Sequence, residues 1–154
     1  MEKPEGTSLK VSQEEINQKA IDLRLAAYQD KTALEKILSE LKELTEEDFS
    51  QVANDQEIES KDTALHIAAR KGHVESVRLL LEKNASFSIV NADGLTALKE
   101  AIKAKQPEIV RLFVKEIPRR EKLDTLNRAL LYLSSLESAE AKEYSEIAEY
   151  LIKE

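Results

Sequence analysis

Asp62-Thr63-Ala64-Leu65-His66-Ile67-Ala68-Ala69-Arg70-Lys71-Gly72-His73 is the stretch on which the reading of this chain turns. It returns, altered, as Leu95-Thr96-Ala97-Leu98-Lys99-Glu100-Ala101-Ile102-Lys103-Ala104-Lys105-Gln106. Thr63 and Thr96 are 96 − 63 = 33 residues apart, and at that offset Glu75, Val77, Arg78 and Leu79 recur as Glu108, Val110, Arg111 and Leu112. A fixed period of this size marks stacked units, none of which can bury its apolar face without its neighbours.

Working outward, Ala68 and Ala69 are small because successive helices of such a stack approach closely. Gly72 supplies the positive φ that reverses the chain, and Val74, Val77, Leu80 and Leu81 form the inner stripe of a second helix. The same arrangement follows over 96–104 and 107–115, where Pro107 suits a first helical turn. Upstream, Ser12 and Glu15 have capping-box spacing, and Ile16, Ala20, Leu23 and Ala27 follow at helical intervals, with Ile21 and Leu25 widening the stripe. A break at Gln29-Asp30 leads to a helix carrying Leu34, Ile37, Leu38, Leu41 and Leu44. Thr45 and Asp48 cap a short helix that buries Phe49 and Val52. Downstream, 122–135 brings Leu123, Leu126, Ala129, Leu130 and Leu133, and a last helix from about Ala139 to Lys153 brings Tyr144, Ile147, Ala148, Leu151 and Ile152. Leu126–Ala129 matches Leu98–Ala101 at an offset of 28 rather than 33, so the last unit has a shortened turn and a lengthened loop between its helices.

The central stretch resembles an ankyrin repeat. The family's pattern is a turn, Thr-Pro-Leu-His opening a first helix, a Gly-His loop, and a second helix rich in Val and Leu. Thr63, Leu65, His66, Ala68, Ala69, Gly72, His73, Val74, Val77, Leu80 and Leu81 carry the match, and Asn91-Ala92-Asp93-Gly94-Leu95-Thr96 carries the turn signal; together they cover roughly 58–117. Ala64 and Ala97 replace the Pro, Lys99 the His, and Lys61 a turn Gly that Gly94 keeps; Asn84 stands where a Gly is usual, and Asn tolerates the same left-handed helix end. The resemblance implies an all-α ankyrin-repeat solenoid of about four stacked helix-turn-helix units with atypical terminal caps. As a single domain over 1–154 it divides into a degenerate first repeat (12–58), two repeats (59–91 and 92–121) and a capping repeat (122–154).

Composition narrows the functional classes. The 154 residues include 34% charged and 5% aromatic side chains, no Trp and no Cys, with a net charge of −7. The negative charge disfavours nucleic acid and anionic membranes as partners. The lack of cysteine excludes disulfides and thiolate chemistry. Met1-Glu2-Lys3-Pro4-Glu5-Gly6 does not read as a signal peptide, and no apolar run approaches the roughly 20 residues of a membrane helix. A soluble, monomeric protein of the cytoplasm is expected.

No catalytic constellation stands out. His66 and His73 are the only histidines; seven helical residues separate them by about 10 Å of rise, and Gly72 interrupts the helix, so they do not share a metal. In the family, the histidine at the place of His66 bonds loop backbone. Gly6, Gly72 and Gly94 are scattered, which rules out a phosphate loop. Lys115, Arg119, Arg120 and Lys122 are interleaved with Glu116 and Glu121 and read as a solvated loop, while Tyr132, Tyr144 and Tyr150 read as core or half-core of the last repeat. The resemblance therefore implies a non-enzymatic module, without cofactor or metal, that binds a protein partner along its concave face and finger tips. By motif position the contact residues are Glu59, Ser60, Asp62, Arg70 and Lys71 in one unit and Val90, Ala92, Asp93, Leu95, Lys103 and Ala104 in the next. The rival readings are a small enzyme or toxin using the irregular flanks 1–58 and 118–154, and a self-associating regulatory domain. A composition rich in Lys, Glu, Ile and Leu reads as bacterial, which adds the family's effector role inside a host cell to the expectations.

Overall fold

The computed structural model describes residues 11–136 and 141–153. Among these there are helices and turns but no strand. Helix α1 (Gln13–Gln29) opens with the expected capping box: Ser12 Oγ accepts from Glu15 N–H while Glu15 reaches back to Ser12 N–H. Its successor α2 (Lys31–Glu40) is capped by Asp30, whose carboxylate accepts from Ala33 N–H at 2.9 Å. A 3-10 turn over Leu41–Glu43 stops α2 before Leu44, so Leu44 packs from outside the helix. Thr45 caps α3 (Glu46–Asn54), which buries Val52 and half-buries Phe49.

The repeating unit follows. In α4 (Ala64–Lys71) and α6 (Ala97–Lys103) the N-caps are Thr63 and Thr96, each accepting from the backbone N–H three residues on. Their partners are α5 (Val74–Glu82) and α7 (Pro107–Glu116), the latter with Pro107 in its first turn. Three helices end in the same reversal. His73 N–H bonds Ala68 C=O across Gly72, Ala85 N–H bonds Leu80 C=O across Asn84, and Gln106 N–H bonds Ala101 C=O across Lys105, at 3.0 ± 0.1 Å in all three. Each reversal needs a left-handed residue, and Gly72, Asn84 and Lys105 have φ of 78°, 61° and 55°.

First helices stack on first helices, α1 on α4 and α4 on α6, with α2, α5 and α7 behind them. Ala27, Ala68, Ala69 and Ala101 are fully buried, so helices meet almost backbone to backbone where they stack. Larger side chains fill the second layer: Leu34, Val77, Leu80, Ile109 and Phe113 are all fully buried in one continuous core. Between the helix pairs run two fingers, residues 55–63 and 85–96. They are joined by Ala92 N–H donating to Ser60 C=O at 2.8 Å and by Gln56 Nε2 donating to Lys61 and Val90 C=O at 2.7 and 2.9 Å.

Several sequence expectations need correction. Ile21 and Leu25 do not widen the buried stripe of α1 but are exposed on its opposite face, because the small Ala20, Ala26 and Ala27 take the contact side. Leu123 and Ile152 are also exposed. The final pair begins early: α8 (Arg119–Ser135) starts directly after its cap Pro118, so Arg119, Arg120 and Lys122 lie on a helix rather than in a loop, and Lys115 lies on α7. Helix α9 (Ala141–Lys153) buries Ile147 and Leu151 against α7 and α8. Tyr132 is half-buried. The Tyr144 and Tyr150 side chains, and the start expected at Ala139, lie outside the described residues.

Candidate protein-binding face

Fingers and first helices share one side of the stack, and what holds that side together decides which of its residues are free. His66 is fully buried. Its Nδ1 faces Thr63 N–H at 3.3 Å and Thr63 Oγ1 at 2.9 Å, and its Nε2–H donates to Leu95 C=O in the next finger at 3.0 Å. That pattern requires the neutral ring, and burial pushes its pKa below the ordinary histidine value, against the opposing pull of the Leu95 carbonyl. His73 Nδ1–H donates to Ala27 C=O at 3.0 Å, so both histidines act as ties between units.

A second tie is ionic. Asp62 and Glu100 are buried carboxylates 38 residues apart (100 − 62), and the Arg70 guanidinium spans them, 2.8 Å from Asp62 and 3.0 Å from Glu100. Asn91 completes the cluster: its Nδ2 donates to Asp62 at 3.0 Å and Glu100 at 2.8 Å, while its Oδ1 accepts the N–H groups of Asp93 and Leu95. Burial raises the Glu100 pKa, but the hydrogen bonds from Arg70 and Asn91 outweigh it and hold the carboxyl below the usual range. The Arg70 pKa is raised, chiefly by its bond to Glu100. Both carboxylates are thus engaged by Arg70 and Asn91, an arrangement that organises a finger.

This placement sorts the residues expected to meet a partner. Glu59, Ser60, Ala92 and Asp93 are exposed at the finger tips, and Lys71 and Lys103 are exposed at the ends of α4 and α6. Val90 is 49% exposed, and Ala104 is half-buried at the end of α6. Asp62 and Leu95 are corrected: at 4% and 8% exposure they are interior, one in the ion cluster and the other holding the His66 bond. Arg70 is exposed, but its charge is already matched. Leu95 therefore does not bracket Asp93 at the tip. Sequence reasoning missed Glu100 and Asn91 as a unit; the available signal was that Glu100 occupies the place of Ile67 at the 33-residue offset. It also missed the exposed stripe of Ile21, Leu25 and Tyr28 on α1, of which Tyr28 carries Lys71 Nζ 3.9 Å above its ring.

A family model described as ankyrin repeats, in three copies, matches residues 23–125. The chain belongs to the ankyrin-repeat family. That span takes in α1 from Leu23 through the first turns of α8, so the ankyrin pattern extends beyond the two repeats legible in sequence. Among curated proteins, the array is 44% identical over 50 residues to a probable E3 ubiquitin-protein ligase XBOS33 of Oryza sativa subsp. japonica. This covers 32% of the chain and only 10% of that protein. Among solved structures, it resembles a chain in the crystal structure of the yeast ribosomal protein Rps3 in complex with its chaperone Yar1. The TM-score is 0.61 with 25% identity over 94% of this chain and 95% of that one.

Proposed function

We propose that this ankyrin array is a non-catalytic module that binds a partner protein across its fingers and first helices. The observation that carries the reading is the apolar stripe of α1: Ile21, Leu25 and Tyr28, at i, i+4 and i+7, are 43%, 56% and 58% exposed, whereas the first helices of the two central repeats, α4 and α6, expose no large apolar side chain. Three such side chains in a row mark an interaction surface better than scattered ones would. The stripe runs by way of Tyr28 to Lys71, and Asp93 and Lys103 supply the polar rim that a standard interface of about 1,600 Å² requires. The likeness to a structure of a chaperone with its ribosomal-protein client supports a protein as the ligand class. A cytoplasmic setting, with delivery into a host cell as an effector, belongs to the same proposal and rests on composition.

The test combines Lys71→Glu, Asp93→Lys and Lys103→Glu and spares Arg70, whose loss would disturb the fold. The variant should melt like the parent and lose most of the proteins that the parent captures from its native cell. Identical captures by parent and variant would refute this face. Leu25→Asp tests the stripe separately, and undiminished capture would remove α1 from the interface.

A further inference from the structure

The finger layer stops one unit short of the helix layer. The second finger, 85–96, is held on one edge by the first, and His66 Nε2–H grips it at Leu95 C=O. A third finger would lie against its other edge, but α7 ends at Glu116 and Pro118 already caps α8, so the connection from α7 to α8 provides none. Lys99 stands 33 residues after His66, at the position that would grip that third finger. Instead, its ammonium lies 5.6 Å from the centre of the Tyr132 ring. Lys99 thus replaces the histidine at the place where the connection from α7 to α8 offers no finger carbonyl.

What remains is a groove of about 410 Å³ between the second finger and the first turns of α8. Leu98, Phe113 and Ile117 form its floor, and Phe87 and Val90 stand on the finger side. Its rim carries three cations, Lys99, Arg120 and Arg128, against two carboxylates, Glu121 and Asp124, a local excess of 3 − 2 = 1 positive charge on a chain of net charge −7. The rim pairs Arg128–Asp124 (3.0 Å) and Arg120–Glu121 (3.8 Å) are solvent-exposed, so a ligand carboxylate can displace Asp124 or Glu121 cheaply.

We propose that this groove docks an extended peptide segment of a partner protein, laid beside the second finger where a third would lie. Its apolar side chains meet the floor, and an acidic side chain meets Lys99. The finger edge continues a pairing already made once within the molecule. A neighbouring extended segment, spaced about 4.8 Å away, suits that edge as the first finger suits the other. A neutral imidazole suits a backbone carbonyl; an ammonium on a rim that also carries two guanidiniums favours a carboxylate. The site is separate from the α1 surface and does not depend on it.

The experiment pans displayed random short peptides against the full chain. Enriched sequences should combine an acidic residue with apolar neighbours. Their binding should fall about tenfold or more in Lys99→Glu and likewise in Thr125→Trp, which plugs the groove from α8, while Lys71→Glu leaves it unchanged. Hydrogen exchange on the bound chain should slow at 87–96. Failure to enrich any peptide, or enriched peptides that tolerate both groove variants, would overturn the proposal. Peptides sensitive to Lys71→Glu alone would also overturn it, while leaving the α1 reading standing. Melting curves confirm that each variant is folded, and Lys99→Glu, at a half-buried polar position, keeps the test decisive should Thr125→Trp unfold.

Discussion

Lys61 and Lys105 hold φ of 57° and 55°, and each sits 33 residues from a glycine that does the same: Gly94 at 71° and Gly72 at 78°. The two glycines announce their own turns, but a lysine in that conformation is legible only through the repeat offset. A side chain in the left-handed region costs about 1–2 kcal/mol, partly offset by the entropy glycine loses on folding. Lys61→Gly and Lys105→Gly should therefore each raise stability by about 0.5–1 kcal/mol in urea titrations. Gly72→Ala should lower it, since a φ of 78° strains any side chain; the flexible Gln106 amide that the added Cβ would meet can move aside. Arg70 shows where sequence ran out. Its bonds to Glu100, 30 residues on, leave no local pattern, and in the sequence the arginine reads as a residue free to contact a partner. Arg70→Met should cost about 2–3 kcal/mol, below the full figure for a buried pair because the Arg70 side chain is 42% exposed. Adding Asp62→Asn and Glu100→Gln should recover part of that loss, and no recovery would argue against the ion cluster. His66 has a folded-state pKa below that of the unfolded chain, so the unfolded state takes up the proton first. Its contribution is whole at neutral pH and drains away as pH falls through about 6.5 towards the folded value. The stability difference between the parent and His66→Gln should accordingly shrink on acidification, whereas a constant difference would show that the ring is not held neutral.

At the scale of the element, caps and spacing settled most of the assignment: Ser12 with Glu15, Thr45 with Asp48, Thr63 and Thr96 each open a helix where expected. What spacing does not determine is which face of a helix is buried when its apolar residues wrap more than one side. In α1 the alanines face the stack, and Ile21 and Leu25 face outward, the reverse of a rule that weighs side chains by size. Close approach explains it: a neighbour stacked on α1 leaves room for Ala27 but not for Leu. The early start of α8 was similarly hidden, because Pro118 serves as well for a helix cap as for a stop. The same logic gives a prediction for α4. Ala68 is fully buried where α4 meets its neighbours, so Ala68→Arg should lower stability by more than about 3 kcal/mol in thermal melts, through overpacking and a buried charge together. An unchanged melting temperature would contradict the close contact.

At the scale of the whole molecule, the 33-residue recurrence made the all-α stack legible, and the family match over 23–125 extends it past the two repeats that sequence displays. The candidate face was only half legible, since position in the motif places Lys71, Asp93 and Lys103 outside but cannot tell them from Asp62 and Leu95, whose burial depends on contacts 29 and more residues away. The central claim is cooperative: interrupting the stack at α4 leaves fewer than three consecutive units on either side, too few to hold themselves. Residue-resolved hydrogen exchange on Ala68→Arg tests this most directly. Amides of α1 and α2 on one side and of α6 and α7 on the other should lose protection together with α4 and α5, whereas parental protection retained in α6 and α7 would show that the units fold independently and contradict the account.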